Sequence, residues 1–324
     1  MNTSSFGVER ATLIRVPATA NLMIDSADRP QDISSNIVPS NFSDFQITRS
    51  QSLINGYFTR IGTTEVAFEW CFPNITPNNN SLTFTGSGGE TFDMSGNFLT
   101  GLYDVSGVLN EVITLLNAGN PDYTFEAITL GNQTVIQCTD NNTAQQVPIK
   151  PVPSVLAFQL DLQAAGSPTG NNFYEAWIVE CPDLRPYRYI DIVCEQLTSV
   201  QDVKDTSTNI INRDVLCRWY MCEDEPEEYD ILGFPLLMGY RHFCRRRIFN
   251  PPKQIKWEQN LPVGNLRFAL YGNAVTNIGT TAAPLFAYRT QALPLVAALN
   301  LPNAASEVAA NGTQWLMTLQ LTEG

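Results

Sequence analysis

Apolar residues in this chain recur at every second position, and that period constrains its fold more than any other feature. In EVAFEWCF (65–72), Val66, Phe68, Trp70 and Phe72 share one phase, while Glu65, Ala67, Glu69 and Cys71 share the other. Side chains alternate across a strand, so the pattern predicts a strand with one buried face. VLAFQLDL (155–162), YRYIDIVCEQL (187–197), DVLCRWYM (214–221), QIKWEQ (254–259), LRFALYG (266–272) and QWLMTLQLT (314–322) read the same way. Their β-branched and aromatic content supports this. Twenty Gly and twenty Pro supply the turns that an all-β chain needs.

One segment has a different period. In TGLYDVSGVLNEVITLLNAGNP (100–121), Leu102, Val105, Leu109, Val112, Ile113 and Leu116 fall at helical spacing, with Gly119 and Pro121 as a stop signal. This predicts one amphipathic helix packed on a sheet. Residues 1–20 read as an irregular arm. The small and turn residues of AAGSPTGNN (164–172) suggest a linker between two β-sandwich or jelly-roll-like domains, 21–165 and 166–324. The alternative is a single jelly roll interrupted by an insert at about 87–150.

Chemistry-bearing constellations are few. His242 is the chain's single histidine, which removes most Ser/His, Cys/His and metal schemes, and neither HExxH, GxSxG nor a phosphate loop followed by Lys occurs. The seven cysteines are scattered. Cys217 and Cys222 lie five apart, on opposite faces of a strand, and read as small buried hydrophobes. With no apolar leader, free thiols in a reducing compartment are expected, and Asn74-Ile75-Thr76 reads as a chance glycosylation match. GSGGE (86–90) reads as a hairpin loop rather than an anion nest. Asp25 and Asp28, in IDSADRP (24–30), read as turn residues rather than an acid–base pair. No enzymatic activity, cofactor or metal is expected, and no apolar run is long enough to span a membrane.

Charge is distributed unevenly. The formal net charge is −13, yet residues 241–324 hold eight Lys/Arg against three Asp/Glu. RHFCRRRIFNPPKQIKW (241–257) concentrates Arg241, Arg245, Arg246, Arg247 and Lys253. Shortly before it, CEDEPEEYD (222–230) carries Glu223, Asp224, Glu225, Glu227 and Glu228, with the apolar link ILGFPLLMGY (231–240) between. A chain leaving strand 214–221 could swing out through the acidic segment and return through the basic one. The two arms would then face each other, or complementary segments of neighbouring subunits, and so set register. Genome contact by Arg245, Arg246 and Arg247 is a weaker alternative, because acid lies close by and no aromatic platform interleaves. A plain solvated face is the third reading.

Several of these stretches resemble penton and minor capsid proteins of the virophage and Polinton-like lineage of double-stranded DNA viruses. IDSADRP, SNFSDFQI (40–47) and FEWCFPNITPNNN (68–80) resemble the family's opening, and GLYDVSGVLNEVITLL its N-terminal helix. PYRYIDIVCEQLTSVQDVKDTST (186–208), DVLCRWYM, NPPKQIKWEQNLPVGNLRFALYGN (250–273) and QWLMTLQLTE (314–323) are similar to its C-terminal half, while 274–311 matches least. The resemblance implies a non-catalytic jelly-roll protein of the virion capsid, assembled inside the host cell. It implies a self-associating homopentamer seated among double-jelly-roll major capsid proteins, with minor capsid proteins or the viral genome as further partners. A cement protein, or an exposed receptor- or glycan-binding module, are the alternatives.

Overall fold

The computed structural model describes residues 19–28, 43–48, 58–70, 73–101, 103–130, 133–165, 168, 172–198, 215–220, 243–256, 264–292 and 315–322. In chain order, the first strands are β1 (Thr19–Asp25), β2 (Asp44–Thr48) and β3 (Arg60–Trp70). Then come β4 (Phe84–Gly86), β5 (Thr91–Phe92), helix α1 (Val105–Gly119), β6 (Tyr123–Leu130), β7 (Gln133–Asp140) and β8 (Ile149–Pro151). Helix α2 (Val155–Gln159), β9 (Leu162–Ala165), β10 (Ala176–Val179), β11 (Tyr189–Val193) and the helical turn α3 (Glu195–Thr198) follow. The chain closes with β12 (Val215–Tyr220), β13 (Phe243–Ile248), β14 (Gln254–Lys256), β15 (Asn265–Asn277), β16 (Phe286–Ala292) and β17 (Trp315–Thr322). The ladders between these strands are all antiparallel. The fold is all-β with one long amphipathic helix.

Two sheets form a sandwich. The front sheet runs β1-β17-β3-β13, with β14 also on β3. The back sheet runs β12-β11-β15, and the far edge of β15 is shared by β2 (over Asn265–Ala269) and β16 (over Tyr271–Asn277). Consider β1, β2, β3, β11, β12, β13, β15 and β17 as eight strands in chain order. The front sheet then reads 1-8-3-6 and the back sheet 2-7-4-5, the order of a jelly roll. Inward residues of the two sheets fill one core: Ile24, Ile61, Val66, Phe68, Trp315 and Leu319 from the front, Phe45, Ile192, Trp219, Leu266 and Phe268 from the back.

Everything between β3 and β11 builds a second core. Sheet β6-β7-β10-β9 and the smaller sheet β5-β4-β8 enclose it with α1. Helix α1 is capped by Asp104, whose carboxylate accepts from Gly107 N at 2.6 Å, and it buries Val108, Leu109, Val112 and Leu116. Leu102 lies outside the described residues. GSGGE forms the β4–β5 turn, closed by Gly86 N donating to Glu90 O at 2.9 Å, with Gly89 at φ 96°.

The linker reading fails on strand pairing. A cut at 165 would part β1 and β3 from β17 and β13, and β2 from β15. AAGSPTGNN instead lies between β9 and β10, which pair with each other. An interrupted jelly roll describes the chain, and the inserted region is wider than 87–150, reaching from the end of β3 to the start of β11. VLAFQLDL is also corrected. Ser154 caps a short helix there, its hydroxyl accepting from Ala157 N at 3.1 Å, and Leu156 and Leu160, four apart, are both buried. Phe158 instead leaves that core and packs 6.2 Å from Phe286 and 5.9 Å from Tyr288. The strand in 187–197 ends at Val193 and gives way to α3. Of the arm 1–20, Thr19 and Ala20 belong to β1, and the rest lies outside the described residues.

Two outcomes follow. The fragment 166–324 is expected to lack a cooperative unfolding transition, because its front sheet has lost β1 and β3; near-UV circular dichroism would show this. In the full chain, Phe68→Ala is expected to cost about 3–5 kcal/mol, read by denaturant titration.

Candidate subunit interface

Strand β13 holds the Arg-rich stretch. It is not one arm of a loop excursion: it pairs along the edge of β3, with Arg245 opposite Phe68, Arg246 opposite Ala67 and Arg247 opposite Val66. Arg246 and Arg247 are consecutive on the strand and so lie on opposite faces of the front sheet. Arg246 lies on the outer face and forms a two-point ion pair with Glu65, through Nε to Oε1 and Nη2 to Oε2, the latter at 3.1 Å. That hydrogen bond, against slight desolvation, holds the Glu65 carboxyl below its ordinary value.

Arg247 is half-buried, its guanidinium carbon 5.9 Å from the Phe249 ring centre. Lys253 Nζ donates to Val215 O at 2.9 Å, tying the β13–β14 connection to the back sheet. Among the ten residues predicted to form the charged contact, Glu223, Asp224, Glu225, Glu227, Glu228 and Arg241 lie outside the described residues, as does His242.

The outer faces of the two sheets carry what the sequence reading passed over. Across the front sheet, Met23, Thr318, Glu65 and Ile248 form one cross-strand row, and Asp25, Leu316, Ala67 and Arg246 the next. Met23 is 72% exposed, Ile248 62% and Leu316 42%. Their signal was legible: Leu316 falls out of phase with Trp315, Met317, Leu319 and Leu321, and Met23 out of phase with Leu22 and Ile24.

On the back sheet, Arg218, Asp191 and Tyr271 form a row, and Tyr220 and Tyr189 pair beside it. Asp191 is fully buried and accepts from Arg218 Nε and Nη2 at 2.6 and 2.9 Å. This pairing, despite partial burial, raises the Arg218 pKa further, so its charge is fixed. The Arg218 guanidinium lies 4.0 Å from the Tyr189 ring centre, Tyr189 meets Tyr220 edge-on at 5.8 Å, and its hydroxyl is 2.7 Å from Thr290 Oγ1.

A third cluster joins the inserted region to the back sheet. Asp183 accepts from Arg185 Nε at 2.7 Å and from Arg188 Nε at 3.2 Å, and Arg188 stacks 3.5 Å from the Tyr288 ring centre. Burial works against the Asp183 carboxylate, but hydrogen bonding and charge from Arg185 outweigh it and lower its pKa.

The remaining candidates are structural. Asp25 Oδ1 accepts from Ala27 N at 2.7 Å, closing a turn. Asn74 is buried at 1% exposure, its amide donating to Tyr103 O at 2.6 Å, so it is not an exposed glycan acceptor. Cys138, Cys194 and Cys217 are buried free thiols, each pushed up to about 12 chiefly by burial. Cys222 lies outside the described residues. Among the described residues, no group of three or more His, Cys, Asp or Glu is placed to hold a metal ion. No described helix is long and apolar enough to cross a membrane.

No protein-family model matches the chain, and no curated protein matches its sequence. Among solved structures, it is similar to the mavirus penton protein, at 11% identity and a TM-score of 0.47, over 95% of this chain and 99% of that one.

The Asp183 cluster has a pH signature. A carboxylate with a depressed pKa stabilises the fold above its unfolded value, and that stability is lost as pH falls through the folded value. Asp183→Asn is therefore expected to cost about 1–3 kcal/mol at neutral pH, and the difference from wild type should shrink below about pH 4. Denaturant titration at both pH values would measure it. Native alkylation followed by mass spectrometry should label exposed Cys181 well before Cys138, Cys194 or Cys217.

Proposed function

We propose that this protein is a structural subunit of an icosahedral viral capsid, a penton that assembles with itself as a homopentamer at the vertex and contacts double-jelly-roll major capsid proteins. One observation carries the reading: most of the stretches that resemble virophage and Polinton-like capsid proteins overlap strands of the jelly roll, and GLYDVSGVLNEVITLL overlaps helix α1 of the inserted region. IDSADRP opens on the end of β1, SNFSDFQI contains most of β2, and FEWCFPNITPNNN begins in β3. PYRYIDIVCEQL holds β11, DVLCRWYM holds β12, NPPKQIKWEQNLPVGNLRFALYGN holds β14 and most of β15, and QWLMTLQLTE holds β17. The poorly matching 274–311 begins in the last turn of pairing of β15 and contains β16, which is additional to the eight strands of the jelly roll.

The fold alone does not fix the role, since jelly rolls also serve as lectins and enzymes. The resemblance selects the capsid, and a charge-poor, neutral-polar composition (16% charged) suits a surface largely covered by other subunits. The assembly belongs in the virion, formed inside the host cell. The charged segments 222–230 and 241–253 are proposed as a subunit contact first and a genome contact second.

Mass photometry and negative-stain imaging of the purified protein are expected to show rings of five. A stable monomer that binds glycans would replace the penton reading with that of a receptor-binding module. Reversing Arg245, Arg246 and Arg247 together to Glu, with Glu65→Arg to keep the pair between β3 and β13, is expected to impair assembly while the monomer still folds. Intact assembly with defective genome packaging would assign the triplet to nucleic acid.

A further inference from the structure

The two cores share no residue, and the chain passes between them twice. On the way out, Phe68 belongs to the jelly-roll core and Ile75 to the inserted one. On the way back, Leu184 is the last residue of the inserted core and Tyr187 the first of the jelly roll, with only Arg185 and Pro186 between. Two crossings by themselves leave the angle between such units free to change. We propose that the β15–β16 hairpin from Tyr271 to Ala292, which the jelly-roll order does not require, is a brace that fixes the inserted region on the back sheet. β2 pairs with β15 only as far as Ala269, and from Tyr271 onward the partner is β16. Phe286, Tyr288 and Thr290 alternate with Ala287 and Arg289, so they share one face of β16. It is the outward face, since Thr290 Oγ1 lies 2.7 Å from the hydroxyl of Tyr189.

Both the inserted region and the returning crossing take hold of that face. Phe158 of α2 turns away from its own core, 38% exposed, and meets Phe286 at 6.2 Å and Tyr288 at 5.9 Å. Arg188 of the crossing lays its guanidinium 3.5 Å from the Tyr288 ring centre, and its backbone N donates to Asn273 O on β15 at 3.0 Å. Tyr288 thus receives a ring from one and a cation from the other. Asp183 ties the two together. Its carboxylate accepts from Arg185 and Arg188, and its backbone N donates at 2.7 Å to the carbonyl of Gln159, the last residue of α2. The hairpin is itself stiff at its tip, where Asn277 Oδ1 accepts from Gly279 N at 2.9 Å and from Leu285 N at 3.1 Å. Tilting the inserted region would break the ring and cation contacts and the Arg188–Asn273 bond together, while neither core need open. Freed from the hairpin, the region would swing on its two crossings with its own core intact.

Hydrogen-exchange mass spectrometry and small-angle scattering on a size-exclusion column test this in the whole chain, variant and wild type being compared at the same oligomeric state. Phe158→Ser and Tyr288→Ala break the brace from opposite sides. Each is expected to speed exchange about tenfold or more in the peptide 183–190, which holds the Arg188 amide. Each should also broaden the pair-distance distribution, while the amides of α1 and β17 keep wild-type protection. Tyr288→Phe retains the ring and is expected to match wild type in both measurements. If α1 loses protection together with 183–190, the hairpin supports the inserted core rather than its placement, and the proposal fails. If exchange and scattering are unchanged in both Phe158→Ser and Tyr288→Ala, other contacts set the angle, and it fails equally. A Tyr288→Phe protein that behaves like Tyr288→Ala would show that the ring is not the point of attachment and would overturn it too. None of these outcomes depends on whether the chain serves in a capsid.

Discussion

Closure of the sandwich depends on a cluster of aromatic rings gathered from both ends of the chain. Phe68 on β3 stacks on Trp219 of β12 at 4.8 Å, nearly parallel. Trp315, which opens β17, contacts Phe45 of β2 at 5.5 Å and meets Phe268 of β15 edge-on at 5.8 Å. Each contact crosses from the front sheet to the back. The paired rings lie from 47 residues apart (Phe268 and Trp315) to 270 apart (Phe45 and Trp315), so the cluster gains its full burial only when strands from both ends of the chain have met. The inserted region, with its own core, adds length to one connection without altering that order.

This explains which parts of the fold were legible in the sequence. Alternation is local, so β3, β11, β12, β15 and β17 could be read from their own residues, and α1 from the spacing of Leu109, Val112 and Leu116. Pairing is not local. Nothing in EVAFEW says that its neighbours lie near residues 246 and 317, and the composition of AAGSPTGNN does not distinguish a linker between domains from a connection between paired strands such as β9 and β10. VLAFQLDL misled for a related reason. Leu156 and Leu160 satisfy both periods, and the choice falls to Ser154 as a cap and to buried Gln159, which accepts from Asn79 Nδ2 at 2.6 Å.

The charged stretch shows the same division. RRR is a cluster in sequence, but a strand deals its residues alternately to two faces, and Arg246, Arg247 and Lys253 each have a separate partner. Arg246 pairs with Glu65 on the outer face, Arg247 lies half-buried beside Phe249, and Lys253 reaches across to the carbonyl of Val215. Positive charge in this region thus holds the front sheet to its neighbours within the chain before it meets anything outside. Its acidic counterpart at 222–230 lies outside the described residues.

Out-of-phase residues stand apart from the charges because no partner within the strand pattern accounts for them. Burial of the inward phase accounts for Trp315, Met317, Leu319 and Leu321, and nothing in the folding of one chain calls for Leu316 between the first two. Isolated exposed aliphatics are common and require no explanation. Met23, Leu316 and Ile248 differ because the register sets them on adjacent rows of a single sheet face, while Tyr220 and Tyr189 stand on the opposite side of the same sandwich. Aliphatic side chains on one face and tyrosine rings beside an ion pair on the other are what the packing of a single chain does not call for.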